Sequence, residues 1–542
     1  MIGLLLRLPR ALVDWVAPNW REFLSSRQPA IWLLALIIGP LLAVGAIAFR
    51  ELIGLVQLPW LGTREEATLA AAHRLPWYVL LAVPTLGGLA VGLGLRFLTS
   101  NRRTGGVPDV IEARAVRGRE LPLRDGLVSA GLSAFSLGVG ASAGREGPLV
   151  HLGATISDAL VRRLSLPATA RRTLLGCGVA AAVSASFNAP LAGVVFAHEV
   201  ILGHYAGRAF VPIVISSSLA ALGARLWFGE GTAFSIPEFA IVSYLEFPAF
   251  ALLGAVAAFV AIAFQFALFA GELVALRSRV PGWLLPACGG LAVGMIAIWF
   301  PEVMGVGYSV TDAALQGSLA LWLLVALVPL KVLATAISLG CRFGGGIFSP
   351  SLYLGAVTGA AFGAVATEFA PQYGSDVGLY ALLGMGAVAG AVLGAPISTA
   401  LIVFELTGGY ALAVALMLAV AVAHGINQAL HDHSYFQWQL EARGVFIQSG
   451  PHRIIGRNVR VMDFMRVPDP DDPPPAPKEG EPSLKPTDTL ERALRTFDKE
   501  GRTALTVVDE AGGRAVVGRA TLVHALERYN QALIATSVEE HR

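Results

Sequence analysis

Charge is what this sequence has least of. Only 14% of its 542 residues are Asp, Glu, Lys or Arg, against about 25% in ordinary soluble domains, and that scarcity excludes a soluble globular protein. The 40 basic and 38 acidic residues leave a net charge of +2, which excludes a nucleic-acid partner held by charge. Cysteine is scarcer still. Cys177, Cys288 and Cys341 are odd in number, scattered and set in apolar or Gly-rich segments, so they read as free thiols and support neither a disulfide framework nor a metal site. No nucleophile elbow or phosphate loop is present, and an enzyme finds no support. The first apolar run, MIGLLLRLPRALVDWVAPNW, is interrupted by Arg7, Pro9, Arg10 and Asp14 and lacks a small-residue cleavage site. It reads as an interfacial helix within an N-terminal cytoplasmic segment 1–28, not as a signal peptide.

Apolar residues are abundant, at 55%. Stretches long enough to cross a bilayer, which takes roughly 20 residues as helix, recur near 30–50, 76–98, 211–228, 249–270, 283–300, 318–340, 352–369, 378–394 and 397–425. They predict an all-α, multi-pass membrane domain over 29–457. Arg7, Arg10, Arg21 and Arg27 precede the first long span, which puts the N-terminus in the cytoplasm. From residue 458 the composition changes. The tract VPDPDDPPPAPKEGEP (467–482) cannot pack a core and reads as a surface segment. Beyond it, Leu490, Leu494 and Phe497 have helical spacing with Gly501 as the stop. ALTVVDEAGGRAVVG predicts two strands joined by a Gly turn, and RATLVHALERYNQAL a second helix. The tail 458–542 is a small cytoplasmic α/β unit.

Internal repetition organises the apolar part. SLGVGASAGREGPLVHLGA (136–154) aligns without a gap over SLGCRFGGGIFSPSLYLGA (338–356), which sets Glu146 opposite Phe348. A second pair follows, 174–199 over 382–405, with a two-residue slip before a shared Ala-Pro that aligns Glu199 with Glu405. Membrane helices favour small residues where they pack, but two matched pairs in order mean two related halves. Each copy has Gly then Pro at the start of an apolar helix, where Pro is tolerated. A helix beginning inside the membrane leaves up to about four N–H groups unpaired and presents its positive end. Two such ends meeting at the midplane make an anion site from backbone. A carboxylate there costs about 2.5–3.5 kcal/mol to insert and is functional by default. Glu146 is therefore a gate that competes with the anion and is released by a proton. Arg145, its neighbour, is predicted to point away from it and to pair with another acid.

Together, GREGPLVHLGA, FNAPLAG, GGGIFSPSLYLGA and TGGVPDVIEA resemble the CLC family of chloride channels and chloride/proton exchangers. The tail resembles the CBS motif attached to many of them. The resemblance implies a homodimer with one pore per subunit, built from two inverted repeats of tilted, broken helices, in the plasma or inner membrane with both termini cytoplasmic. It makes Glu146 the gating glutamate and implies anion contacts from Gly105, Gly106, Arg145, Gly147, Ile347 and Phe348. The family's serine hydroxyl falls on Gly105, where only backbone remains and where a serine would add a ligand. Its tyrosine hydroxyl falls on Phe436, with Tyr435 one residue away. The second, cytoplasmic-side glutamate of many exchangers falls on Val200, so a proton path from Glu146 would have to use His198 or Glu199. Glu199 matches an acid that is usually structural, and its alignment with Glu405 suggests that both cap helix ends. Intact GREGP and GGIFSP argue against a fluoride-selective member. These residues favour a channel or weakly proton-coupled transporter of chloride or similar monovalent anions. The alternative is an antiporter with a non-standard proton route. The CBS-like tail would take an adenine nucleotide or serve as a dimerising scaffold, and both readings stay open.

Overall fold

A computed structural model describes residues 16–541 except 22, 25–26, 65–68, 117, 230–233, 235, 238, 370, 373, 408–411, 447–458, 467–481 and 510–514. The interfacial helix expected over 1–20 and the Pro-rich tract lie largely outside these residues. The chain forms two compact units, Met1–Phe436 and Gln437–Arg542.

The first unit is built of helices whose order repeats. Its first half runs α1 (Gln28–Leu61), α2 (Trp77–Leu98), α3 (Val107–Ala115), α4 (Leu123–Gly138), α5 (Glu146–Arg163), α6 (Ala168–Phe187), α7 (Pro190–Phe196) and α8 (Gly207–Phe228). The second runs α9 (Phe247–Arg277), α10 (Leu285–Ala297), α11 (Tyr308–Leu315), α12 (Leu321–Gly340), α13 (Phe348–Phe369), α14 (Val377–Leu393), α15 (Pro396–Thr407) and α16 (Ala413–His431), and α17 (Tyr435–Ala442) follows. Among the described residues, seven helices are long and apolar enough to cross a membrane. Two expectations are corrected. The run at 283–300 contains a helix of only 13 residues, too short to span at about 1.5 Å per residue. The run at 397–425 holds two helices, α15 and α16, and not one span.

Hydrogen bonds reveal how the halves meet. Gly144 and Gly346, aligned in the repeat, exchange N–H···O bonds of 2.6 and 2.7 Å. Ser142 N donates to Ser338 Oγ (3.0 Å), and Gly344 N, the repeat equivalent of Ser142, donates to Ser136 Oγ (3.0 Å). Such reciprocity between aligned residues is what a pseudo-two-fold axis between inverted repeats produces. Glycines let the helices close. A Cβ on Gly88 of α2 would lie 2.2 Å from Pro286 O, and one on Gly290 of α10 would lie 2.0 Å from Pro84 O. The pairs Gly153/Gly178 (α5 on α6) and Gly355/Gly384 (α13 on α14) repeat the device, each Cβ falling 2.3–2.4 Å from the other's carbonyl oxygen. α14 is apolar all round and buried from Gly378 to Leu393, as a helix inside a bundle must be.

In the second unit, a three-stranded sheet has the order β1 (Ser483–Leu484), β2 (Ala504–Asp509), β3 (Ala515–Thr521), with β1 parallel and β3 antiparallel to β2. α18 (Leu490–Glu500) and α19 (Leu522–His541) accompany it. Thr489 caps α18 by accepting from Arg492 N, and Gly501 ends it at φ 61°. Leu484, Leu490, Phe497, Leu505, Val507 and Ala525 form its core. β1 was not legible in the sequence, because two residues carry no periodicity.

Candidate functional site

The two motif helices begin beside one another. The Gly144–Gly346 bridge lies two residues ahead of α5 and of α13, and a Cβ on Gly346 would come 3.0 Å from Gly147 N. The helical hydrogen bonds are set up only further in, with Leu149 donating to Arg145 O (3.4 Å) and Ser351 to Ile347 O (3.0 Å). The N–H groups of Glu146, Gly147, Phe348 and Ser349 thus belong to the two first turns, whose donors have no acceptor within the helix.

Glu146 opens α5 and is wholly buried. Its carboxylate accepts from Tyr308 Oη (2.9 Å) and from Ser349 Oγ, which lies 2.6 Å from both carboxylate oxygens. Both hydroxyls come from the second half of the chain. Neither was found in the sequence reading, since a lone Tyr at a helix start and a Ser in a Ser-Pro pair carry no signal of their own. Tyr308 is positioned by the turn before it. Gly307 has φ 93°, a left-handed conformation that glycine adopts without strain. The buried Lys331 of α12 donates to Val303 O (2.9 Å) and Gly305 O (3.1 Å) and packs over the Tyr353 ring.

Arg145 corrects an expectation. Its Nε lies 3.7 Å from Glu146 Oε1, so the acid it pairs with is its neighbour. Adjacent side chains diverge inside a helix, but Arg145 is the residue before α5. Its guanidinium is held by Ser186 O (3.1 Å) and over the Tyr308 ring (4.7 Å). Ile347 and Phe348 are buried at the start of α13, and the Phe348 ring packs on Phe187 and Phe196, with centroids 5.1 and 5.8 Å apart. Tyr435 and Phe436 are both buried in the first turn of α17, with rings 6.3 Å apart.

Gly105 and Gly106 are also corrected. Gly105 N donates to Ser129 Oγ (2.7 Å) and Gly106 N to Asp109 Oδ2 (2.9 Å), so both backbone donors are engaged inside the protein. The place a serine side chain would take at 105 is filled, since a Cβ there would lie 2.3 Å from His151 Nε2.

His198, Glu199 and Val200 share one π-helical turn, Ala197–Leu202, at the end of α7. Glu199 accepts from Ile397 N (3.1 Å) and Ser398 N (2.8 Å) and from the Ser398 hydroxyl. Glu405, its aligned partner, accepts from Leu191 N (2.9 Å) and Ala192 N (2.7 Å). Each carboxylate caps the other half's helix start, an interaction with both the N–H groups and the dipole. Glu405→Ala and Glu199→Ala are each expected to cost about 1 kcal/mol or more of stability, read as a lower unfolding temperature in detergent. A Glu199→Gln variant that kept its stability but changed proton flux would instead put Glu199 on a proton path.

Residues 87–428 match the voltage gated chloride channel family. The chain is 37% identical over 391 residues to the ClcB-like protein of Ralstonia nicotianae, covering 71% of this chain and 91% of that one. It is 30% identical to the voltage-gated ClC-type chloride channel ClcB of Salmonella typhi, covering 76% of this chain and 99% of that one. Among solved structures it resembles a slow cyanobacterial Cl⁻/H⁺ antiporter (TM-score 0.68, 21% identity, 76% of this chain and 97% of that chain). It also resembles a eukaryotic CLC transporter (TM-score 0.66, 20% identity, 93% of this chain and 90% of that chain). A protein with these matches, this repeat and a buried glutamate between two helix starts is an integral membrane protein of the voltage gated chloride channel family, the CLC family.

Proposed function

We propose that this chain carries chloride across the membrane through one pore per subunit of a homodimer, with Glu146 as the gate. The observation that carries this reading is the fully buried Glu146 carboxylate at the meeting of the two helix starts, held by hydroxyls of the opposite half. The N–H groups of Gly147, Ile347 and Phe348 are the backbone ligands for the anion, with Arg145 as the nearby positive charge. When the carboxylate is charged it competes for that position, and when protonated it yields. The tail, 458–542, is a cytoplasmic CBS-like domain, and an adenine nucleotide is its candidate ligand.

The transport is channel-like or weakly proton-coupled. Val200 has no titratable group, and the ring contacts that Phe348 at the start of α13 makes with Phe187 of α6 and Phe196 of α7 offer no proton carrier. One observation favours the alternative, an antiporter with its own proton route. His198 is 1% exposed, and its Nε2 has no hydrogen-bond partner among the described residues.

Reversal potential in a planar bilayer under a pH gradient at fixed chloride separates the two. The expected result is reversal at the chloride equilibrium potential regardless of pH. A shift with pH would establish coupling, and loss of that shift in His198→Phe would put the route through His198. Val200→Glu is expected to introduce a small pH-dependent shift absent from wild type. Absence of chloride current from folded protein would overturn the transport reading itself.

A further inference from the structure

We propose that Lys331 is a positioning residue for the gate: it fixes the turn that aims the Tyr308 hydroxyl at Glu146 and so sets the pH at which the gate opens. This rests on the reading of Glu146 as a gate released by a proton, and adds a residue that tunes it without bonding to it. Lys331 lies in α12 and is wholly buried. Its Nζ donates to Val303 O (2.9 Å) and Gly305 O (3.1 Å) and stands 4.8 Å from the centre of the Tyr353 ring. Among the described residues no carboxylate pairs with it, and Glu302, beside Val303, bonds His73 Nε2 instead (3.1 Å). Charged or neutral, a buried amine is costly unless its donors are bonded, so the turn cannot move without stranding it.

The turn needs such a tie. Gly305 (φ 63°) and Gly307 (φ 93°) both adopt the left-handed conformation between Val303 and Tyr308, and glycine leaves a segment more conformational freedom than any other residue. Gly305 N also donates to Gly140 O, but at 3.3 Å. Tyr308 then opens α11 and reaches Glu146 Oε1 at 2.9 Å. A hydroxyl at the end of a rigid ring goes where its backbone goes, and a displacement of about 1 Å would take it out of hydrogen-bonding range.

The repeat sets this arrangement in both halves. Gly307, Lys331 and Tyr353 correspond to Gly105, Ser129 and His151 at the spacing that relates Ser338 to Ser136. In each half a ring takes the space that a Cβ on the glycine would need, with His151 Nε2 2.3 Å from it in the first and Tyr353 Cδ2 2.5 Å from it in the second. The residue on the long helix differs. Ser129 accepts one N–H, from Gly105, whereas Lys331 donates to two carbonyls. The residue that follows the glycine is Gly106 in the first half, with nothing to aim, and Tyr308 in the second. The stronger tie thus stands where a side chain has to be held on the gate.

Arg145, Tyr308 and Ser349 face the Glu146 carboxylate, and the titratable groups around the turn are His73, Glu302, Lys331 and Tyr353. The Tyr308 hydroxyl favours the charged carboxylate, so losing it lets protonation open the gate at higher pH. Chloride efflux from liposomes holding the full-length protein, followed from about pH 5 to about pH 9, reads the midpoint. Lys331→Met is expected to raise it by about one pH unit, the worth of one hydrogen bond to a charged group, and Tyr308→Phe to do the same. Lys331→Met/Tyr308→Phe is expected to move it no further than Tyr308→Phe alone, because both act through one bond. An unmoved midpoint in folded Lys331→Met would overturn the proposal, as would additive shifts, which mark a general loosening. Lys331→Gln, whose shorter side chain keeps a polar end in the buried site, is held to the same outcomes should Lys331→Met fail to fold. Glu146→Gln is the separate check. If it kept the wild-type pH profile, the gate reading would fall and this proposal with it, whereas a flat profile there beside an unmoved Lys331→Met would overturn this proposal alone.

Discussion

Glu146→Gln is expected to conduct chloride with no gate-derived pH dependence, at a rate that wild type approaches only in acid. The glutamine keeps the size and hydrogen-bonding reach of the side chain but cannot carry the charge that Tyr308 Oη, Ser349 Oγ and Arg145 stabilise. Hydrogen bonds to a charged group are worth about 1.5–3 kcal/mol each. Losing even one such contribution moves the closed-to-open balance by about tenfold or more in alkaline solution. The sign follows from the chemistry: wild-type flux rises as pH falls, because protonation discharges the carboxylate, and the variant is already discharged. Chloride efflux from liposomes between about pH 5 and pH 8.5 reads this directly. If the variant retained the wild-type pH profile, another group would be the gate. Ser349→Ala, which removes a donor but leaves the acid, is expected to fall between wild type and Glu146→Gln.

The largest structural effect is expected from Gly178→Val, which should yield no monodisperse protein. A Cβ at that position would lie 2.3 Å from Gly153 O and 2.4 Å from Ser157 Oγ. A carbonyl oxygen in a helix cannot rotate aside, so α5 must separate from α6, and α5 carries Glu146 at its start. Overpacking costs about 1–3 kcal/mol where side chains can adjust, and more where the obstacle is backbone. Gly131 of α4 provides the control. Nothing lies within 4 Å of a Cβ there, and Gly131→Ala is expected to be neutral or to stabilise the helix by about 0.5–1 kcal/mol. Size-exclusion profiles and thermal unfolding of the two variants decide the matter. Equal behaviour would mean that the helix crossing is not held by its glycines.

Much of this was legible in one dimension because a repeat is a one-dimensional signal. Aligning 136–154 with 338–356 identified the helix starts, and the positions it pairs are those that exchange hydrogen bonds, Gly144 with Gly346 and Ser142/Ser338 with Gly344/Ser136. The exchange of Glu199 and Glu405 as helix caps followed the same logic. The failures have separate causes. Gly105 was read as a backbone contact to the anion with room for a serine hydroxyl because position 151 belongs to another helix, and the imidazole that fills the space is 46 residues away in sequence. Arg145 was expected to turn from Glu146 by a rule for helix interiors, whereas it stands just before the helix.

The sequence by itself determined the membrane class, the two-fold repetition and the position of the one acid that begins a pore helix. Scarcity of charge, apolar length and Gly-Pro punctuation are local properties, and burial cannot reverse them. Only the tertiary structure decided which groups hold that acid. Tyr308 and Ser349 reach Glu146 across 162 and 203 residues, and a hydrogen bond depends on distance in space, which the chain sets only after the two halves have closed on one another. The same closure gave Gly105 N–H to Ser129 and set the His151 ring against Gly105. Those outcomes depend on which side chains share a volume, and no spacing along the chain encodes that.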